Sequence, residues 1–149
     1  MRSTFHLAFC IAVSLAAGAG LIAQKVTTEE ELDKAMKRAQ PAMGAAAKAL
    51  QAGNAAEAGK QLAIVRQAMI DTQDFWIKHK REDAVKANKE TIAKLESTEK
   101  LLSGASPDIA AATASLKQEV GASCRTCHEA YRVRDAENNW VLKPGSLGN

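Results

Sequence analysis

The 149 residues predict an all-α fold, an up-down-up-down antiparallel four-helix bundle. Three observations carry that expectation. Alanine is abundant while glycine and proline number only 9 and 3, a balance that suits helices. Apolar side chains return every three to four residues along four separate stretches. The links between those stretches are short, and short links force neighbouring helices to run antiparallel.

The chain opens with MRSTFHLAFCIAVSLAAGAGLIAQ: a basic Arg2, an apolar run from Leu7, then small residues. That is the layout of a secretory signal peptide, with cleavage after Ala19 or Ala23. An uncleaved anchor is the competing reading, since the run from Leu7 to Ala23 sits at the short end of what spans a bilayer. Residues 1–23 are therefore set aside as the signal. The bundle is expected over 24–134, and 135–149 as an irregular tail that drapes over it with Trp140 as an anchor.

The first helix opens at Thr28, where Glu31 three residues later completes a capping box and acidic side chains crowd the positive end of the dipole. It should run to about Ala52 and stop at Gly53. Asn54 with Glu57 starts a second helix, ending among Lys78, His79, Lys80 and Arg81, cations suited to a C-terminus. A third covers Asp83 to Leu102 and stops at Ser103 and Gly104. Ser106 as cap and Pro107 as first helical residue start the fourth, which continues through the cysteines to about Val133. The apolar stripes are Leu32, Met36, Met43 and Leu50; then Leu62, Val65, Met69 and Trp76; then Val85, Ile92, Leu95 and Leu102. The fourth, Ile109, Leu116, Val120, Cys124, Cys127 and Tyr131, turns both cysteines toward the core.

Removing the signal takes Cys10 with it and leaves Cys124 and Cys127 alone. A disulfide between them closes too short a loop to constrain the unfolded chain. Losing Arg2 from 20 basic residues leaves 19 against 17 acidic ones, a net charge of +2. That is too weak and too mixed for a nucleic-acid surface, and no basic patch studded with aromatics appears.

The remaining chemistry is concentrated in CRTCH, residues 124–128. A redox C-x-x-C pair belongs at a helix start, where the dipole lowers a thiol pKa, whereas this pair lies near a helix end. Zinc requires a fourth ligand, and His79 is the other histidine left after the signal. Covalent haem attachment by C-x-x-C-H uses every residue of the cluster. Two thiols one turn apart add to the two vinyl groups on one porphyrin edge, and the adjacent imidazole of His128 becomes an axial ligand. Export fits such attachment. So does an interior with only 4% aromatic residues, which can borrow bulk from a cofactor.

GASCRTCHEAYR, at the end of the last of four helices, resembles the class II c-type cytochromes, the cytochrome c′ family. MKRAQPAMGAAAKAL and DFWIKHKREDAVKAN resemble its low-spin Met/His branch, with a Met-Lys-x-x-x-Pro first helix and a Phe-Trp pair in the second. The likeness covers about residues 28 to 132, and CRTCH is its specific part. It implies a sixth iron ligand from a methionine early in the first helix. Arg132 matches a basic family position beside the proximal imidazole, implying a propionate hydrogen bond or tuning of the iron, with a solvated helix-end cation as the competing reading. Relatives often dimerise through their first two helices, which leaves a homodimer open.

Helix geometry bears on the sixth ligand as well. His128 is about four residues, or ~6 Å, from its helix end. Met36 is about eight residues, or ~12 Å, inside the start of helix one, and Met43 about fifteen, or ~22 Å. Met36 is nearer in level, with Met43 and an open distal side as alternatives. Tyr131 and Trp76 are expected against the porphyrin, as ordinary core aromatics would also be. Pro41 should bend helix one near this pocket.

The expectation is a periplasmic, non-enzymatic carrier of single electrons between larger redox partner proteins. It would hold one covalent haem c with iron between His128 and Met36, and have no membrane span once the signal is gone. The rival is a five-coordinate protein binding nitric oxide or carbon monoxide at an open iron. Gas-binding members of the family carry an arginine four residues before the distal residue, and here Leu32 stands four before Met36.

Overall fold

The computed structural model describes residues 25–148. The expected signal segment, with Cys10 and both cleavage positions, lies outside the described residues. The fold is all-α apart from one small antiparallel strand pair.

Helix α1 spans Glu29–Gln51. Its capping box forms as expected: the Thr28 hydroxyl accepts the Glu31 N–H at 3.2 Å, and the Glu31 carboxylate accepts the Thr28 N–H at 3.0 Å. The helix runs on through Pro41 and ends before Gly53, whose φ of 71° is readily open only to a residue without Cβ. Helix α2, Ala55–Asp71, starts on the Asn54 side chain, which accepts the Glu57 N–H at 3.0 Å. The expected second helix is broken at Thr72, and a short α3, Gln73–Lys78, completes it. The Thr72 hydroxyl donates to the Met69 carbonyl at 2.9 Å and accepts from Asn88 at 3.0 Å, so it serves the interior at the break.

Helix α4 covers Glu82–Leu102. The last helix is in three pieces: α5 at Ile109–Ser115, a π-helical turn at Leu116–Val120, and α6 at Gly121–Tyr131. Its start differs from expectation. Asp108, not Ser106, is the cap, and Pro107 precedes the helix. The Asp108 carboxylate accepts the Ala111 N–H at 2.9 Å while its own N–H donates to the Leu101 carbonyl at 2.8 Å, a two-ended hold that serine at 106 does not make.

Side-chain bonds fix the directions. Arg38, early in α1, pairs with Asp71 at the end of α2. Asn88, early in α4, donates to the Met69 carbonyl at 2.9 Å, while Arg66 reaches Glu99 late in α4. Thr98 and Thr91 of α4 bond Ser115 and Ser123 at 2.8 and 2.6 Å. Arg38 joins the early half of α1 to the end of α2, and in the other pairs the partners advance along one helix as they retreat along the next (Met69 to Asn88, then Arg66 to Glu99; Thr91 to Ser123, then Thr98 to Ser115), so the neighbours run antiparallel.

The buried face of α1 is Leu32 followed by Ala35, Ala39, Ala42, Ala46 and Ala49, with Met36 and Met43 half-buried beside it. Small side chains let α1 and α2 approach closely, since interaxial distance follows contact residue size. The interior forms two apolar clusters. One joins the middle of α1 and α2 with Leu95, Leu102, Leu116 and Val120. The other, at the end holding CRTCH, contains Leu32, Ala35, Phe75, Trp76, Ala84 and Tyr131.

The stripe expected on α4 is rotated in the structure. Its buried positions are Ala84, Asn88, Thr91, Leu95, Thr98 and Leu102, while Val85 and Ile92 are half-buried. The Thr91 and Thr98 hydroxyls and the Asn88 Nδ2 donor are accommodated by oxygens of Met69, Thr72, Ser123 and Ser115, while Asn88 Oδ1 is buried without a partner. Thr98→Ala should therefore destabilise the fold by about 1–3 kcal/mol in urea unfolding, because the buried Ser115 hydroxyl loses its partner. Thr98→Val with Ser115→Ala should recover most of that loss.

Helix α6 stops two residues short of expectation, and the tail is not wholly irregular. Arg132–Arg134 (β1) pairs antiparallel with Trp140–Leu142 (β2), Arg134 opposite Trp140 and Arg132 opposite Leu142. Trp140 is 44% exposed and does not anchor the tail in the bundle. The Arg132 and Arg134 guanidiniums each lie 3.9 Å from its ring centroid, cation–π contacts that favour the hairpin over further helix. Leu142 and Leu147 are the tail residues that dock on the bundle. No helix among the described residues is long and apolar enough to cross a membrane.

Candidate functional site

Helix α6 carries Cys124 in its first half and Cys127 and His128 in its second, and all three side chains are half-buried. The register of α6 on α4 is set at Ser123, held by Thr91, and at Tyr131. The Tyr131 hydroxyl donates to the Asp83 carboxylate at 2.6 Å and accepts from Arg81 Nε at 3.1 Å. Between these fixed points the two thiols turn inward and divide between the clusters. Cys124 packs with Met43, Leu95 and Val120 in the central one; Cys127 packs with Met36, Trp76 and Tyr131 in the other.

Met36 packs against the same cluster as Cys127, and Met43 against the same cluster as Cys124. Trp76 and Tyr131 form one aromatic wall, their ring centroids 4.8 Å apart, and Phe75 meets Trp76 edge-on at 5.0 Å. His79 ends α3 and lies against Phe75 at 4.5 Å.

Burial controls the protonation states. It pushes the Cys127 thiol up to about 11, with Cys124 and Asp83 adding to the shift, and it raises Cys124 as well. Both cysteines are therefore neutral thiols near neutral pH, unlike the low-pKa nucleophile of a dithiol oxidoreductase. Burial also lowers His128, helped by the Arg132 cation, so its imidazole is neutral and keeps a lone pair to give. Among the described residues no three His, Cys, Asp or Glu side chains converge into a metal-holding group, so the three CRTCH side chains do not present a zinc-type pocket. Two neutral thiols one helical turn apart, with an imidazole beside the second, remain as the reactive set.

Arg132 follows directly after α6. Its guanidinium lies over Trp140, and its Nε is buried without a hydrogen-bond partner. Two surface grooves, of about 510 and 650 Å³, lie one between α2 and α4 and the other beside the start of α4, lined by charged and apolar side chains that include none of the CRTCH residues.

Sequence reasoning missed the hydroxyl pairs that hold α6, and the signal was present: serines at 115 and 123 interrupt an apolar stripe opposite threonines at 91 and 98. It also missed the Arg38–Asp71 pair, for which a separation of 33 positions leaves no local pattern. No family model, no curated protein and no solved structure matches the chain.

Proposed function

We propose that the chain is an exported class II c-type cytochrome that carries single electrons between larger redox proteins in the periplasm, without a substrate of its own. The observation that carries this reading is CRTCH on an inward-facing part of α6, with Met36 in the same apolar cluster as Cys127. Cys124 and Cys127 would hold one haem c as thioethers, and His128 and Met36 would ligate its iron. The group would supply one-electron redox chemistry when bound.

The donor set fits that group. Both thiols are neutral and free, the imidazole is neutral, and Arg132 Nε is a buried donor still lacking an acceptor, which a propionate carboxylate supplies. Leu32, Ala35, Phe75 and Trp76 exclude water and lower the local dielectric, which shapes the reduction potential. Tyr131, fixed by Asp83 and Arg81, holds the end of α6 and with it the orientation of His128.

The test is the mass and visible spectrum of the protein matured in a host that attaches haem. One haem per chain and sharp α and β bands unchanged by carbon monoxide support the reading. A colourless product with the polypeptide mass alone overturns it. A broad high-spin spectrum that shifts with carbon monoxide would instead assign an open distal side and gas binding. Met36→Ala should convert a low-spin spectrum to a high-spin one that binds carbon monoxide; an unchanged spectrum would remove Met36 as ligand.

A further inference from the structure

The end of the molecule around Cys127 is walled mostly by helices. Leu32, Met36, Trp76, Ala84 and Tyr131 belong to α1, α3, α4 and α6, which the bundle fixes. Of the apolar residues outside the helices, Val26 precedes α1 and is tied by its N–H to the Asp71 backbone carbonyl at 3.3 Å, while Leu142 and Leu147 come from the strap that follows the hairpin turn. That strap is lightly held. Beyond its short ladder to β1, it is joined to the bundle by the Lys143 N–H to the Tyr131 carbonyl at 2.8 Å and by Lys143 Nζ to the Glu129 carbonyl at 3.1 Å. It also carries a mismatch: Ser146 Oγ, like Arg132 Nε at the hairpin base, is buried with no hydrogen-bond partner. Strap closure therefore buries two polar groups that this packing leaves unsatisfied.

We propose that the strap of residues 140–148 is the movable wall of the cofactor pocket, and that Leu142 and Leu147 decide which small ligands reach its Met36 side. Segments with few buried contacts open at lower cost than the helices they cover. A flat group attached at Cys127 has to displace something from this cluster, and the strap is the wall that can lift without breaking a helix. An acceptor brought in by that group, such as a carboxylate, would satisfy Ser146 and Arg132 and hold the strap closed. This inference rests on the haem reading for its ligand, but not for the motion.

Two measurements separate the parts. In the haem-bearing Met36→Ala full chain, whose iron is open to carbon monoxide, adding L142A/L147A should raise the carbon monoxide association rate of the ferrous protein at least tenfold, with helical circular dichroism and attached haem mass unchanged. A rate within twofold of Met36→Ala alone overturns the gating role. In the full chain, with or without haem, the Lys143 amide should exchange with deuterium at least a hundredfold faster than the Leu95 amide of α4. Equal protection overturns the motion. If no haem is attached, the proposed function fails, while the exchange comparison still decides whether the strap moves.

Discussion

Arg38→Ala is expected to lower the stability of the fold by about 3 kcal/mol, which for a domain of this size moves the melting midpoint down by about 10 °C. The reason is an asymmetry in the pair. The Asp71 side chain is 1% exposed, whereas that of Arg38 is 39% exposed. Removing the arginine takes a cation from a carboxylate held in the interior, to which the Gln67 amide also donates at 2.8 Å. Removing the carboxylate leaves a cation that reaches water. Asp71→Ala should accordingly cost less, and Arg38→Ala with Asp71→Ala should be more stable than Arg38→Ala alone. Urea titrations of the four proteins test this, and an Arg38→Ala midpoint equal to the parent's would refute it. Since Arg38 lies two residues from Met36, the same pair also fixes the part of α1 that faces Cys127.

Inserting one alanine after Gln118 should abolish double attachment at CRTCH while leaving α1, α2 and α4 able to pack. Each residue of an α-helix turns about 100°. Thr91 and Thr98 are seven apart on α4, so they return to within about 20° of one face. Ser115 and Ser123 are eight apart, which in an unbroken helix would put them about 80° out of line. The π turn at Leu116–Val120 takes up the extra residue and restores both hydroxyl pairs. A second extra residue exceeds what that turn absorbs. It would rotate α6 by about 100°, separating Ser123 from Thr91 and Cys127 from Met36 and Trp76. Deleting Gln118 instead brings the spacing to seven and should preserve attachment in a straight helix. Intact mass read alongside the melting midpoint distinguishes these outcomes; full attachment in the insertion variant would refute the register argument.

The helices were legible because their ends are written locally. Thr28 with Glu31, Asn54 with Glu57, and Gly53 each act within a few residues of themselves, and the observed caps match. CRTCH was legible for the same reason, since its five residues are contiguous. The π turn was not, because Leu116–Val120 contains no glycine or proline and its cause is the spacing of serines against another helix. The face of α4 was misread because apolar counting favours Val85 and Ile92 over Asn88, Thr91 and Thr98, whose burial depends on partners elsewhere in the chain. The hairpin escaped for want of length: two three-residue strands carry no alternation to detect, and the arginine contacts on Trp140 exist only once the turn has formed.

The two tryptophans sit in opposite circumstances, Trp76 at 5% exposure beside Cys127 and Trp140 at 44% on the hairpin. The molecule thus carries its own pair of fluorophores, one in the interior and one at the rim. Emission from a Trp140→Phe protein isolates the inner indole, whose quenching would register a pigment seated beside it. A Trp76→Phe protein leaves only the outer one, whose wavelength follows the wetting of the tail.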